Sequence, residues 1–213
     1  MKRMVKAAIL QMAPKRLLFS RGNRRSRVVA LSFDDGPHPE HTERILAVLR
    51  EEGVKATFFL VGTEVQKYPA LARAIARDGH GMGGHAWSHR RLNGMVRHEL
   101  DKEVEQTAAL IQETTGVSSR LFRPPYGVVT IPLLRYAGTR GWTVVLWSVD
   151  SGDARLGASP AAMRAATQSV GPGDIVLLHE DYPHTVEGLR GIIQDLKARG
   201  FSFATVEELL GRR

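Results

Sequence analysis

The chain has 213 residues, 43% hydrophobic and 24% charged, which suits one domain with a substantial core. It has no cysteine, which excludes disulfides, thiolate metal sites and a cysteine nucleophile. The net charge of +8 belongs to one end: residues 1–27 carry nine Lys or Arg and no acid, and residues 28–213 sum to −1.

That distribution sets a basic N-terminal segment, 1–27, apart from a near-neutral body, 28–213. It argues against nucleic-acid binding, which spreads positive charge over a folded face. Val5, Ala8, Ile9 and Met12 recur at helical spacing and predict a short amphipathic helix. Basic charge beside an apolar stripe suits weak contact with an anionic membrane surface. The longest apolar run, AAIL, falls short of the ~7–15 residues of an export signal. No span approaches the ~20 apolar residues that cross a membrane. The expected location is cytoplasmic or peripheral on the inner membrane surface, with export left open.

The body alternates strand-like and helix-like stretches. VVALSF (28–33) is followed by a helix over about 40–52 that ends at Gly53. ATFFLVG (56–62) reads as a buried strand, 69–79 as a helix with Pro at its first turn, and HGMGG (80–84) as a short glycine-rich strand. One long helix is predicted over 95–115. Strands follow at 119–123, 142–149, 174–179 and 201–205, with helices over 130–140 and 186–199 and another starting at Ser159-Pro160. Thr205 and Glu208 make a capping box for a final helix. About seven such units imply parallel strands covered by helices, either a doubly wound sheet or a barrel. Both place ligands at the carboxyl ends of strands.

Reactive groups gather at those ends. Asp34 and Asp35 follow the first strand, HAWSH (85–89) the third, RPPYG (123–127) the fourth, DSGD (150–153) the fifth and His179 the sixth. His85 and His89, four apart, reach one ion if their segment is helical. With a carboxylate they form a His-His-Asp set with an open fourth position, which suits a catalytic zinc or another first-row divalent metal. A second carboxylate beside a metal can accept a proton, and a histidine across the site can donate one.

SFDDGP, HAWSH, RPPYG, DSGD and VLLH, in that order at strand ends, resemble the polysaccharide deacetylases of carbohydrate esterase family four, which share the NodB homology domain. The similarity covers about residues 28–213. It implies a distorted (β/α)7 barrel of parallel strands with outer helices. It also implies metal-dependent removal of acetyl groups from N-acetylglucosamine-containing glycans, or in some members from O-acetylated xylan. By the same resemblance Asp34 is the general base, and Asp35, His85 and His89 hold the metal: zinc first, with cobalt, nickel or manganese as alternatives. Arg123 orients the base, and the Tyr126 N–H faces the oxyanion. Asp153 pairs with His179, the acid, and Leu177 or Leu178 lines the slot for the acetyl methyl. The expected partner is an acetylated amino-sugar glycan.

Two residues depart from the pattern. Ala86 replaces a hydroxyl residue that supports the histidine loop, and Ala154 replaces an indole that walls the groove. Neither removes a reacting group. A non-catalytic carbohydrate-binding protein on the same fold is the alternative; it would be free to lose Asp34 or His179, and this chain keeps both. Among the other candidates, His38 and His41 read as solvated, His80 as a hydrogen-bonded core residue and His98 as part of a charged face. His184 reads as a residue of the loop after His179, Trp87 as packing beneath the loop, and Trp142 and Trp147 as core.

Overall fold

The computed structural model describes residues 13–211. Among the described residues nine short strands build the frame: β1 (Leu18–Phe19), β2 (Val28–Asp34), β3 (Thr57–Leu60), β4 (Gly81–Gly84), β5 (Leu121–Phe122), β6 (Thr143–Val145), β7 (Val149–Asp150), β8 (Ile175–His179) and β9 (Ser202–Phe203). Around them lie α1 (Thr42–Glu51), α2 (Gly62–Lys67), α3 (Pro69–Arg77), α4 (Arg97–Leu100), α5 (Thr107–Thr115), α6 (Ile131–Arg140), α7 (Pro160–Thr167), α8 (Pro183–Ala198) and α9 (Val206–Leu210). No helix among the described residues is long and apolar enough to cross a membrane.

The strands pair in parallel in the order β1-β6-β5-β4-β3-β2-β8-β7, and β9 joins the start of β2. β6 and β7 lie far apart in that order, yet only residues 146–148 separate them in the chain. That link reaches at most about 14 Å when extended. The sheet therefore curls until its ends approach, giving the distorted (β/α)7 barrel that the resemblance implies.

The central strands β2, β3 and β8 are buried on both faces, so they read as nearly continuous apolar runs. The two faces still differ. Val29, Leu31 and Phe33 of β2 and Val176 and Leu178 of β8 pack outward, in one cluster with Ile45, Leu189 and Ile193 of the helices. Ala30 and Ile175 face inward with Phe59, Leu121 and Val145. Burial of each such side chain is worth about 1.5–3 kcal/mol. Because side chains alternate, the inner row of β2 runs Ala30, Ser32, Asp34, and that of β8 runs Ile175, Leu177, His179. The lumen changes from hydrocarbon to reactive groups toward the carboxyl end. β4 must be glycine-rich because it passes close beneath Phe59: a Cβ on Gly83 would lie 2.7 Å from that ring.

Four details differ from the sequence expectation. Residues 18 and 19, within the basic segment, form a strand that pairs with Val144 and Val145. Arg21 pairs with Asp174 at 2.5 Å, and Arg27 stacks on Phe201, so much of residues 13–27 is folded onto the body. The predicted stripe Val5, Ala8, Ile9, Met12 lies outside the described residues. The 142–149 strand divides at residues 146–148, where the chain crosses to the far edge of the sheet. The strand over 56–62 stops at Leu60, and Gly62 already starts α2. The single helix over 95–115 is α4 and α5 joined by a π-helical segment, Asp101–Gln106.

Candidate active site

Asp34 and His179 end adjacent parallel strands and are partners in register. Far apart in sequence, they face the same end of the lumen. Asp34 is buried, and its Oδ1 accepts a 2.6 Å hydrogen bond from Arg123 Nη1. Arg123 is fully buried and also donates to Ser32 Oγ at 3.0 Å. Its guanidinium lies 4.0 Å over the Phe59 ring. The buried guanidinium beside it fixes the orientation of the Asp34 carboxylate.

Asp35, His85 and His89 bring one ligand atom each within 4.8 Å of one another. Asp35 Oδ1 is 3.0 Å from His89 Nε2 and 3.4 Å from His85 Nε2. That oxygen is buried and finds no well-directed hydrogen bond, an orphan that a cation would satisfy. His85 Nδ1 lies 2.7 Å from the Arg123 carbonyl and donates to it, which leaves Nε2 free as a ligand. Burial would raise the Asp35 carboxyl, but the two imidazoles outweigh it and hold the carboxyl far below the ordinary range. The donor set fits a divalent metal.

The two histidines do not converge through a helix. The 85–89 segment is irregular, with Ala86 at φ 65 and His89 at φ 53. Asp35 (φ 73) and Tyr126 (φ 59) are the other non-glycine residues in left-handed backbone among the described residues. All four sit at this site. Such backbone costs about 1–3 kcal/mol per residue and persists where function demands it.

Tyr126 is the second residue of a 3-10 turn, so its N–H precedes the turn's own bonds and points at no backbone partner within it. Its ring lies 5.0 Å from His89. On the opposite side Asp153 receives the His179 backbone N–H at 2.6 Å, the Nδ1 proton at 2.9 Å and the Thr185 hydroxyl at 3.0 Å. Burial would lower the His179 pKa. The Asp153 hydrogen bond and the charges of Asp34, Asp153 and Asp35 together outweigh it, and the pKa is pushed up to about 9. Of the two leucines, Leu178 packs in the outer core and Leu177 faces the lumen with His179. Beside these groups lies a cleft of about 390 Å³, walled by His38, Thr63, Glu64, Ser88 and Asp181.

Two histidine expectations change. His41 is buried rather than solvated, because its Nδ1 bonds the Glu180 carbonyl at 2.6 Å; His38 is half-buried and stacks on it. His184, in the loop after His179, is held structurally: its Nε2 donates to the Asp153 carbonyl at 2.7 Å. His80 is core, as expected from the sequence, accepting the Ala56 N–H on Nδ1. Sequence reasoning missed Ser32, Thr185, Glu103 and Glu180. Ser32 was legible as the inner-face residue two before Asp34; the others carry no spacing signal.

Glu180 is fully buried beneath the Asp34–Gly36 turn, where Thr42 donates to Oε2 and Oε1 has no partner. A Cβ on Gly36 would collide with it, which explains the glycine. Burial pushes its pKa up from 4.5 to about 8. The folded state thus binds a proton that the unfolded chain releases between those values. This contribution is complete below pH 4.5 and is lost as pH rises through 8. Glu180→Gln should therefore gain Tm relative to the wild type between pH 5 and pH 8, by the equivalent of a few kcal/mol. Parallel melting curves for the two proteins across that range would remove the assignment.

The polysaccharide deacetylase family profile matches residues 21–145, more than half of the chain. A Bacillus cereus peptidoglycan-N-acetylglucosamine deacetylase is 33% identical over 190 residues, covering 86% of this chain and 88% of the relative. The chain spans only 39% of a longer Listeria monocytogenes relative, the peptidoglycan-N-acetylglucosamine deacetylase PgdA. The structure of the Bc1960 peptidoglycan N-acetylglucosamine deacetylase superposes with a TM-score of 0.89 at 31% identity, covering 92% of this chain and 94% of that one. A Bacillus anthracis pseudoenzyme of the same family, BA3943, superposes at 0.85 with 28% identity over 91% of this chain and 68% of its own. Profile, sequence and fold agree over the greater part of the molecule, and the chain belongs to the polysaccharide deacetylase family, carbohydrate esterase family four, built on the NodB homology domain.

Proposed function

We propose that the chain is a metal-dependent hydrolase that removes N-acetyl groups from N-acetylglucosamine units of an oligo- or polysaccharide. One observation carries this reading. The carboxylate–histidine pair Asp34 and His179, partners in register, stands complete beside a convergent Asp35, His85, His89 set, with Asp34 Oδ2 3.7 Å from His85 Nε2. These three would hold the ion, zinc first. When bound it supplies Lewis acidity and makes a neighbouring water more acidic. Asp34 takes the proton of the attacking water as the new C–O bond forms. The Tyr126 N–H donates to the developing oxyanion. His179 gives its proton to the nitrogen as the C–N bond breaks, and acetate and the free amine leave. Leu177 bounds the space for the acetyl methyl.

The pseudoenzyme relative shows that this fold does not guarantee catalysis. What favours catalysis here is that base, acid and ligand set are all present and oriented. O-deacetylation of a xylan-like glycan uses the same groups, with oxygen as the leaving atom. The test is acetate release from chitooligosaccharide, peptidoglycan and acetylated xylan, with chelated and metal-restored protein. The amino-sugar substrates should release acetate, chelation should abolish it and zinc should restore it. His85→Ala should lose both metal and activity. Full activity in metal-free protein would sink the metal, and no release from any substrate would leave a binding protein.

A further inference from the structure

The loop that carries His85 and His89 has no regular structure, and two of its residues sit in left-handed backbone. Residue 86 is Ala, so it has no side-chain polar atom to brace the loop. The bracing comes from outside. On one side the Gly62 and Thr63 N–H groups at the start of α2 bond the Ala86 and Trp87 carbonyls at 3.0 and 2.9 Å. On the other side stands Glu103, only 1% exposed, in the π-helical segment 101–106. Its Oε2 accepts the Trp87 and Ser88 N–H groups at 2.8 and 3.0 Å. Its Oε1 accepts the Ser88 hydroxyl at 2.9 Å and Arg90 Nε at 2.8 Å. All four donors belong to the histidine loop or the residue just after it.

We infer that Glu103 is a positioning residue for the metal: its carboxylate fixes the backbone between His85 and His89 so that both imidazoles converge on Asp35. A buried carboxylate is costly unless its oxygens are satisfied, and this one is satisfied only by the loop. π-Helical turns are rare and cluster at functional sites. Here the wide turn sits at the residue that reaches the loop. Groups one step behind the ligands typically contribute 10–100-fold to metal affinity. Gln at 103 keeps the volume but replaces one acceptor with an amide NH2, which faces donors.

The inference rests on the metal reading above, and the experiment separates the two. Zinc affinity is measured by chelator competition for the wild type, Glu103→Gln and Arg90→Ala. Amide exchange of Trp87 and Ser88 is followed in the metal-free proteins. Glu103→Gln should bind zinc at least about 10-fold more weakly, gain less Tm on zinc addition and exchange those two amides faster. Arg90→Ala removes one exposed donor, so it should show the same changes in smaller measure. It decides the matter if the Gln variant does not fold. Zinc affinity and exchange rates equal to wild type would overturn the role of Glu103 alone. A wild type that binds no zinc would overturn the metal reading, and this inference with it.

Discussion

Asp34→Asn should keep its divalent ion and lose about 10²–10⁴-fold in turnover, whereas Asp35→Asn should lose the ion. The two side chains are neighbours in sequence but differ in what they face. Asp34 Oδ1 is engaged by Arg123, and Oδ2 lies 3.7 Å from His85 Nε2, beside the ligand set. Asp35 Oδ1 lies between both imidazoles. Replacing Asp34 therefore removes a proton acceptor and leaves the three ligands intact. It also leaves Arg123 buried without its anion, a change that can cost 3–5 kcal/mol on the scale of broken buried pairs, or roughly that much. Metal content per folded protein, acetate release and Tm must be measured together. Equal loss of metal in both variants would contradict the division of roles.

The chemistry of the site was legible where a short motif fixes a residue type at a strand end. SFDDGP places two carboxylates where β2 leaves the sheet, and the structure puts both at the mouth of the lumen. The inner row Ala30, Ser32, Asp34 is also readable, because alternation follows from strand geometry alone. Register is different. Nothing local tells Asp34 that its partner is His179, since parallel pairing is decided by how the whole sheet closes. The same limit hides β1: two residues in a basic stretch become a strand only because β6 offers an open edge. The charges of residues 13–27 followed suit, with Arg21 spent on Asp174 and Arg27 on Phe201. Helical periodicity over 95–115 was real, but it could not show that one turn widens to carry Glu103. Spacing suggested that His85 and His89 share a helix face. They converge instead through left-handed residues, a conformation that sequence patterns disfavour for any side chain but glycine.

The acid should declare itself in the pH profile. His179 is held as an imidazolium by Asp153, which accepts from both its Nδ1 and its backbone N–H. With a pKa pushed up to about 9, it is protonated at neutral pH and can give its proton to a departing amine. Activity should therefore fall as pH rises through about 9. Asp153→Asn removes the carboxylate charge, and with it the charge-assisted hydrogen bond that contributes most to that rise. The alkaline limb should then move toward lower pH, with the metal retained. His179→Ala should lower turnover by about 10²–10⁴-fold, with no alkaline limb from this group. A leaving group that needs no proton should relieve that loss, so an acetyl ester of an acidic phenol should be hydrolysed by His179→Ala far closer to the wild-type rate than an N-acetyl sugar. If His179→Ala is impaired equally on both substrates, the histidine is not the acid, and if Asp153→Asn leaves the alkaline limb in place, another group sets it.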